Sequence, residues 1–231
     1  NYDFKSFITY FLNKRIFNRF DLNLDRKKIL EKKIDPDFEK ISKFVEKYSM
    51  CSLDDRINII ESLKHIKKNN VEGDIIECGV WQGGNLMLIQ FILNFLNKKR
   101  NIFGFDLFDD MPDGGEYDID KFGKRPEYYK NHPNLDYKWC KASIEEVKEI
   151  LNKNFENHNI SLIKGDVCST LKSNSNFTEK IALLRLDTDF YDSTKCELNY
   201  LYSKLSKGGI LIIDDYNEWN GCRKAVDEFF I

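Results

Sequence analysis

The sequence lacks the features that mark disulfide-linked, zinc-binding and membrane-spanning proteins. Its six cysteines include no C-x-x-C pair, and its three histidines share no metal-ligand spacing with each other or with a cysteine pair. No stretch approaches the roughly 18 consecutive apolar residues that a membrane span requires, and no signal-peptide pattern opens the chain. We therefore expect a cytoplasmic protein with reduced thiols, no zinc and no transmembrane segment.

The chain also lacks a strong net charge. Lys and Arg number 36 against 38 Asp and Glu, which leaves a net charge of −2. This near balance is not the basic footprint of a nucleic-acid-binding protein, so we expect no nucleic acid partner. With 231 residues, 42% of them hydrophobic, the chain is long enough to bury one sizeable core. Function must therefore come from a local site.

Acidic residues follow two apolar runs of strand length, Ile181–Leu186 and Ile210–Ile213. They are Asp187, Asp189, Asp192, Asp214 and Asp215. Two unit charges about 4 Å apart repel by roughly 4 kcal/mol at an effective dielectric constant near 20. Such a cluster favours either proton uptake or a bound metal ion. The metal ion is our working hypothesis, with Asp192 assigned to the cap of the next helix.

A second pattern, nearer the start of the chain, indicates a nucleoside site. The stretch from Gly73 to Val80 has the composition of a strand, and Gly83 leads into an apolar helix from Leu86 to Leu96. The next strand ends in an acid at Asp106. Glycines in such a turn let the backbone approach a ligand closely, and an acid one βα unit later can accept hydrogen bonds from two ribose hydroxyls.

The rest of the chain continues the alternation of helices and strands. Two S/T-x-x-E patterns, at Ser143 and Thr194, predict helix capping boxes, and Gly208–Gly209 predicts a helix stop. A third strand, Ile160–Lys164, ends at Gly165–Asp166. Parallel strands need crossover connections, so this alternation predicts an α/β, Rossmann-like, doubly wound and mostly parallel sheet. Ligands bind such sheets beyond the carboxyl ends of the strands.

Two further segments are expected to surround the site. Residues 1–33 form an amphipathic, locally basic pattern that predicts a helix packed on the domain or on a partner, or lying on a membrane surface. More helical spacing follows Pro36, and Ser52 with Asp55 marks a helix start. Residues 107–140 are too long for a simple connection and predict a lid or a binding loop.

Four ordered motifs together resemble the macrocin O-methyltransferase family. They are Tyr48–Ser52, Gly73–Gly84, Leu184–Thr194, and Ile213–Tyr216 with Gly221–Glu228. Members of that family methylate sugar hydroxyls with S-adenosylmethionine and magnesium. The resemblance implies a class I methyltransferase fold with both cofactors. It also divides the chain into an N-terminal helical extension or lid, residues 1–70, and an S-adenosylmethionine-binding domain, residues 71–231.

The resemblance also implies a role for each site residue. The residues implied to shape the methionine side of the cofactor pocket are Glu77, Gly79 and Gly83, with Asp106 on the ribose and Gly165 and Asp166 near the adenine. The implied magnesium ligands are Asp187, Asp214 and Asp215, and Asp189 matches the general base. Since two adjacent hydroxyls can chelate the metal, we expect a small-molecule or glycan acceptor with vicinal hydroxyls on a sugar or sugar-like ring.

The sequence departs from that family after the fifth strand. The final antiparallel strand pair of the fold is missing after Ile231, which would leave the fifth strand as an exposed apolar edge. We therefore expect either a homo-oligomer in which another subunit covers this edge, or a chain that is part of a longer multidomain protein.

Two other functions remain open at this point. Asp187-Thr188-Asp189 is also a D-x-D pattern, by which many glycosyltransferases hold a metal ion and a nucleotide sugar. Alternatively, the domain is a non-enzymatic binding module in which Arg185 and nearby lysines neutralise the acids as a structural network. Arg185 has the same strand parity as Asp187 and can reach it.

Overall fold

The computed structural model describes residues 36–130, 132, 140–173 and 176–230. The predicted basic helix over residues 1–33 lies outside these residues. The described chain begins with helix α1 (Pro36–Val45), a 3₁₀ turn (Glu46–Tyr48) and helix α2 (Leu53–Lys68). Ser52 caps α2 in a reciprocal capping box with Asp55, which confirms the helix start predicted there.

Five parallel strands form one sheet in the order β3-β2-β1-β4-β5. The strands are β1 (Asp74–Cys78), β2 (Ile102–Asp106), β3 (Ile160–Lys164), β4 (Ile181–Leu186) and β5 (Leu205–Ile213). The strand order reverses between β1 and β4, so this is the switch point where ligands bind in doubly wound sheets. The predicted α/β, doubly wound parallel architecture is confirmed. Among the described residues, β3 and β5 form the two edges.

Helices cover both faces of the sheet. They are α3 (Gly84–Phe95), α4 (Pro126–Lys130), α5 (Ile144–Asn154), α6 (Val167–Ser173), α7 (Tyr191–Leu201) and α8 (Asn220–Phe230). One core cluster joins α1, α2, α3 and α5 to one face, and another joins α6, α7 and α8 to the opposite face. Ile75 lies in the first cluster and Ile76 in the second, because successive side chains of a strand point to opposite faces.

Helices α1 and α2 share the first core cluster with β1. Phe38 and Ile60 are among their buried residues. The division at residue 70 into an extension and a cofactor-binding domain stays a prediction. No helix in the described part of the chain is both long enough and apolar enough to span a membrane.

The capping box predicted at Thr194 and Glu197 is wrong. Helix α7 begins at Tyr191 with Phe190 as its N-cap, so Thr194 and Glu197 lie inside the helix, both buried. Glu197 accepts a hydrogen bond from Thr188 Oγ1 at 2.9 Å. The assignment of Asp192 to the cap of this helix is also wrong, because Asp192 lies in the first turn of α7, two positions after the N-cap Phe190. The T-x-x-E spacing fits an inward helix face as well as a cap.

The helix stop predicted at Gly208–Gly209 is also wrong. Helix α7 ends at Leu201 and a 3₁₀ turn follows, whereas both glycines lie within β5. The register between β4 and β5 is irregular there. A Cβ atom on Gly209 would lie 2.8 Å from the Ser206 carbonyl oxygen, so this glycine serves a close approach within an irregular strand.

Candidate functional site

A cavity of about 300 Å³ lies at the carboxyl ends of the strands. Every predicted site residue except Glu77 and Gly83 lines it. Those that line it are Gly79, Asp106, Gly165, Asp166, Asp187, Asp189, Asp214 and Asp215. The sheet thus brings together acids that follow four different strands, from Asp106 to Asp215 in the sequence.

On the β2 and β3 side of the cavity, backbone amides hold the carboxylates. Asp106 accepts from the amides of Val80 (2.7 Å), Trp81 (2.9 Å) and Phe108 (2.7 Å). Asp166 accepts from the Ser169 amide at 2.8 Å, at the start of α6. A carboxylate has about four acceptor positions, so Asp106 keeps capacity for a ligand hydroxyl while its orientation is fixed.

Three predicted glycines have separate structural reasons. Gly79 has a φ of +86°, and a Cβ atom there would lie 1.9 Å from the Asp187 carbonyl oxygen, so only glycine lets β1 and the end of β4 approach. Gly83 caps α3 with a φ of +82° and faces Val147 rather than the cavity. Gly165 lines the cavity with a φ of +137°.

On the β4 and β5 side, carboxylates face one another. The Asp189 amide donates to Asp215 Oδ2 at 3.1 Å, and Asp189 has a φ of +66°. Burial, followed by the charge of Asp187, raises the pKa of Asp189 to about 8. Burial also raises the pKa values of Asp187 and Asp215 well above their usual range, despite the attraction of Arg185. These hard oxygen donors fit a magnesium ion, whose charge would oppose the rise in pKa.

The Arg185 guanidinium lies among these acids. Its side chain is 1% exposed, and Nη1 donates to Asp187 Oδ2 at 2.7 Å and to Glu77 Oε1 at 2.8 Å. Nη2 lies 3.0 Å from Asp214 Oδ1. The reach predicted from strand parity is confirmed.

Glu77 lies behind the cavity, with no exposed surface. Besides Arg185, it accepts from Asn85 Nδ2 at 3.1 Å. Burial raises the pKa of Glu77 to about 7, although Arg185 opposes the rise. Its implied role on the methionine side of the cofactor pocket stays a prediction.

Sequence reasoning missed Cys51, which lines the cavity just before α2. Its sulfur accepts from Arg185 Nη2 at 2.9 Å and from Asn85 Nδ2 at 3.2 Å. The sulfur and one oxygen each of Asp187 and Asp214 lie within 4.8 Å of one another. Cys51 lies in the Tyr48–Ser52 motif, for which no role at the site was predicted, and a second signal was Gly84. A Cβ atom there would lie 2.4 Å from the Tyr48 carbonyl oxygen, so this glycine lets the 48–51 loop rest on α3.

The segment over residues 107–140 borders the cavity in its described part. Asp109, Asp110, Met111, Pro112 and Cys140 are among the lining residues. Asp118 Oδ1 accepts from the Tyr191 amide at 2.8 Å, and Asp120 forms an isolated antiparallel bridge with Trp219. These contacts anchor the segment to the start of α7 and to the turn before α8.

Comparison with known proteins gives one consistent picture. The family model described as Macrocin-O-methyltransferase (TylF) matches residues 15–230. A demethyldecarbamoylnovobiocin O-methyltransferase from Streptomyces niveus is 33% identical over 178 residues, which are 74% of this chain and 63% of that protein. This chain therefore spans less than two thirds of that relative's length. The 8-demethyl-8-(2,3-dimethoxy-alpha-L-rhamnosyl)-tetracenomycin-C 4'-O-methyltransferase from Streptomyces olivaceus is 28% identical over 188 residues, 79% of this chain and 67% of that protein.

A solved structure agrees with the fold. The O-methyltransferase NovP superposes with a TM-score of 0.65 at 31% identity, over 79% of this chain and 73% of that chain.

Proposed function

The chain belongs to the macrocin-O-methyltransferase family, and we propose that it transfers a methyl group from S-adenosylmethionine to a hydroxyl of a sugar or sugar-like ring, in a Mg²⁺-dependent reaction. Because the chain spans 63% of the length of its Streptomyces niveus relative, its activity, acceptor and cofactors all belong to this proposal. One observation carries it: a cluster of carboxylates that favours a bound cation or a proton shares a cavity with Asp106, an acid suited to a nucleoside.

The cofactor would be held on the β2 and β3 side. Asp106 is oriented by three backbone amides and would accept hydrogen bonds from the ribose hydroxyls. Gly165 and Asp166 would border the adenine, and Gly79 would keep the methionine side open. Glu77 and Gly83 do not line the cavity. Glu77 would act on the site through its contact with Arg185, and Gly83 through its position as the cap of α3.

The acceptor would be held on the β4 and β5 side. Asp187, Asp214 and Asp215 would bind Mg²⁺, which when bound makes the proton of a contacting hydroxyl easier to lose. Asp189, which lines the same cavity, would take this proton. Alignment of the acceptor oxygen with the methyl group supplies much of the acceleration.

The acceptor class rests on relatives as well as on the site. The name of the Streptomyces olivaceus relative describes a 4'-O-methyltransferase acting on a rhamnosyl compound, which supports a sugar acceptor for this chain. Vicinal hydroxyls remain part of the proposal because two of them can chelate the cation. We also propose a cytoplasmic location, which suits the six free cysteine thiols.

One observation favours a second candidate, the structural acid network. Arg185 contacts Asp187, Asp214 and Glu77 and so neutralises part of the cluster without any metal ion. The network does not account for Asp189 and Asp215, which pair with each other through a backbone amide. The D-x-D glycosyltransferase reading has no comparable support.

Calorimetry and a transfer assay test the proposal. We expect S-adenosylmethionine to bind and nucleotide sugars not to bind as donors. Labelled methyl groups should pass from S-adenosylmethionine to a member of a panel of sugar acceptors, and a chelator should stop transfer while cofactor binding persists. Binding of a nucleotide sugar alone would support the glycosyltransferase. Transfer that is insensitive to the chelator would remove the role of Mg²⁺.

A further inference from the structure

We propose that Arg185 is a positioning residue of the cation site, whose guanidinium sets the separation of the Asp187 and Asp214 carboxylates. The proposal rests on the Mg²⁺ dependence proposed above. It gives this buried arginine a role toward the cation that differs from charge neutralisation alone.

The first support for this role comes from the contacts that the Arg185 guanidinium makes on its cavity side. Arg185 lies on β4 two residues before Asp187, so both side chains point to the same face of the strand. Asp214 directly follows β5, which pairs with β4. One guanidinium nitrogen lies 2.7 Å from Asp187 Oδ2 and the other lies 3.0 Å from Asp214 Oδ1. Because the guanidinium is planar and rigid, these two contacts fix the relative position of the two carboxylates.

Further support comes from the contacts on the other side of the guanidinium, away from the cavity. Glu77 Oε1 accepts from Nη1 at 2.8 Å, and Asn85 orients Glu77 from the start of α3 at 3.1 Å. Cys51 Sγ accepts from Nη2 at 2.9 Å. Arg185 is therefore held by groups from β1, α3 and the 48–51 loop. A lysine at this position would offer a single point charge and could not contact both carboxylates through two directed nitrogens.

A third line of support comes from the burial of the ion pair between Arg185 and Glu77. Arg185 is 1% exposed and Glu77 is fully buried. The desolvation of a buried ion pair often cancels its attraction, so apolar residues of similar volume give equal or greater stability. Stability alone is therefore a weak reason for this arrangement, whereas the fixed geometry of two cation-binding carboxylates is a sufficient one.

Binding of Mn²⁺, followed by the paramagnetic resonance signal of the free ion, tests the proposal without any measurement of activity. Arg185→Lys should weaken Mn²⁺ binding about 10- to 100-fold, the usual cost of losing a residue that orients metal ligands. Glu77→Gln should weaken it in the same direction by a smaller factor. Arg100→Lys is the matched control, because both guanidinium nitrogens of Arg100 also donate, but to the carbonyl oxygens of Gly73 and Val71, which precede β1 at the end of the sheet opposite the cavity. It should leave Mn²⁺ affinity unchanged.

The outcomes separate the proposals. Circular dichroism establishes that each variant is folded. Wild-type Mn²⁺ affinity in folded Arg185→Lys overturns the positioning role, and if that variant does not fold, wild-type affinity in Glu77→Gln overturns it instead. An equal loss in Arg100→Lys also overturns it, since the effect would then be general. A wild-type protein that binds no Mn²⁺ overturns both this role and the proposed Mg²⁺ dependence. Tight Mn²⁺ binding without methyl transfer to any acceptor counts against the proposed function alone.

Discussion

The two sides of the cavity contain the same kind of residue in opposite surroundings. On the β2 and β3 side, backbone amides donate to the carboxylates of Asp106 and Asp166. On the β4 and β5 side, burial raises the pKa values of Asp187, Asp189 and Asp215, and neighbouring carboxylates add to the rise. Arg185 opposes the rise at Asp187 and Asp215 only in part.

The difference shows that the neighbouring groups of a carboxylate determine whether it serves as a hydrogen-bond acceptor, a metal ligand or a base. Amides stabilise the charged form without adding a like charge, so the first side provides acceptors that stay ready for ligand hydroxyls. Crowded and partly desolvated carboxylates favour a bound cation or a proton, so the second side suits a metal ion and a base. A substitution that removes one charge should therefore act differently on the two sides.

The largest expected effect compares Asp189→Asn with Asp106→Asn. Asp189→Asn should lower methyl transfer by about 10² to 10⁴, the usual contribution of a general base. It should also raise the melting temperature of the metal-free protein at neutral pH, because the wild-type carboxyl must take up a proton on folding and the neutral Asn side chain avoids this cost. Asp106→Asn should destabilise the protein by about 1–3 kcal/mol, because three amides lose a charged acceptor. Transfer rates and thermal unfolding measure both effects.

The decisive result of that experiment is that Asp189→Asn should raise the melting temperature of the metal-free protein and Asp106→Asn should lower it. If both variants shifted the melting temperature in the same direction, the contrast between the two sides would fail. Retention of full transfer by Asp189→Asn would assign the base to another group. Calorimetry with Mn²⁺ serves as the control, since Asp189→Asn should keep the cation bound.

A smaller effect is expected where β1 separates the two sides. Gly79→Ala should destabilise the protein by about 3 kcal/mol or more, since it combines a positive φ with a Cβ atom 1.9 Å from the Asp187 carbonyl oxygen. Gly123→Ala is the matched control, with a φ of +78° and no atom within 4 Å of the added Cβ. It should cost about 1–2 kcal/mol. Urea unfolding measures both, and equal losses would show that steric contact with Asp187 adds nothing.

The smallest change over a single pH unit is expected at Glu197, behind the β4 side. Burial raises its pKa to about 8 from an ordinary value near 4.5. Between these pH values the folded state keeps a proton that the unfolded state has released, so stability falls as pH rises, by at most about 1.4 kcal/mol per pH unit. Glu197→Gln should remove this part of the slope and gain stability relative to the wild type towards pH 8.

Urea unfolding between pH 5.5 and 8 measures that slope. Glu145→Gln, at an exposed position in the first turn of α5, is the control and should leave the slope unchanged. A Glu197→Gln variant with the wild-type slope would show that Glu197 is already charged in the folded protein. The burial of Glu197 would then have little effect on its pKa.

Local patterns predicted the elements well where one signal decides the structure. Ser143 forms the capping box expected of it, Ser52 begins α2 as expected, and the family resemblance seen in four motifs is confirmed by the family match. The same reasoning failed at Thr194 and at Gly208–Gly209. Their patterns also fit an inward helix face and an irregular strand, and only packing against the rest of the sheet distinguishes these cases.

The sequence by itself determined which acids follow which strands, because strand length, apolar composition and the residues after each strand are local properties. It could not determine what those acids contact. Asp106 bonds to amides 25 and 26 residues away, Arg185 bonds to Glu77 across 108 residues, and Cys51 reaches Arg185 across 134. Only the strand order of the folded sheet brings these groups together, and the neighbours it supplies decide whether a carboxylate stays a plain acceptor or becomes part of a cation site.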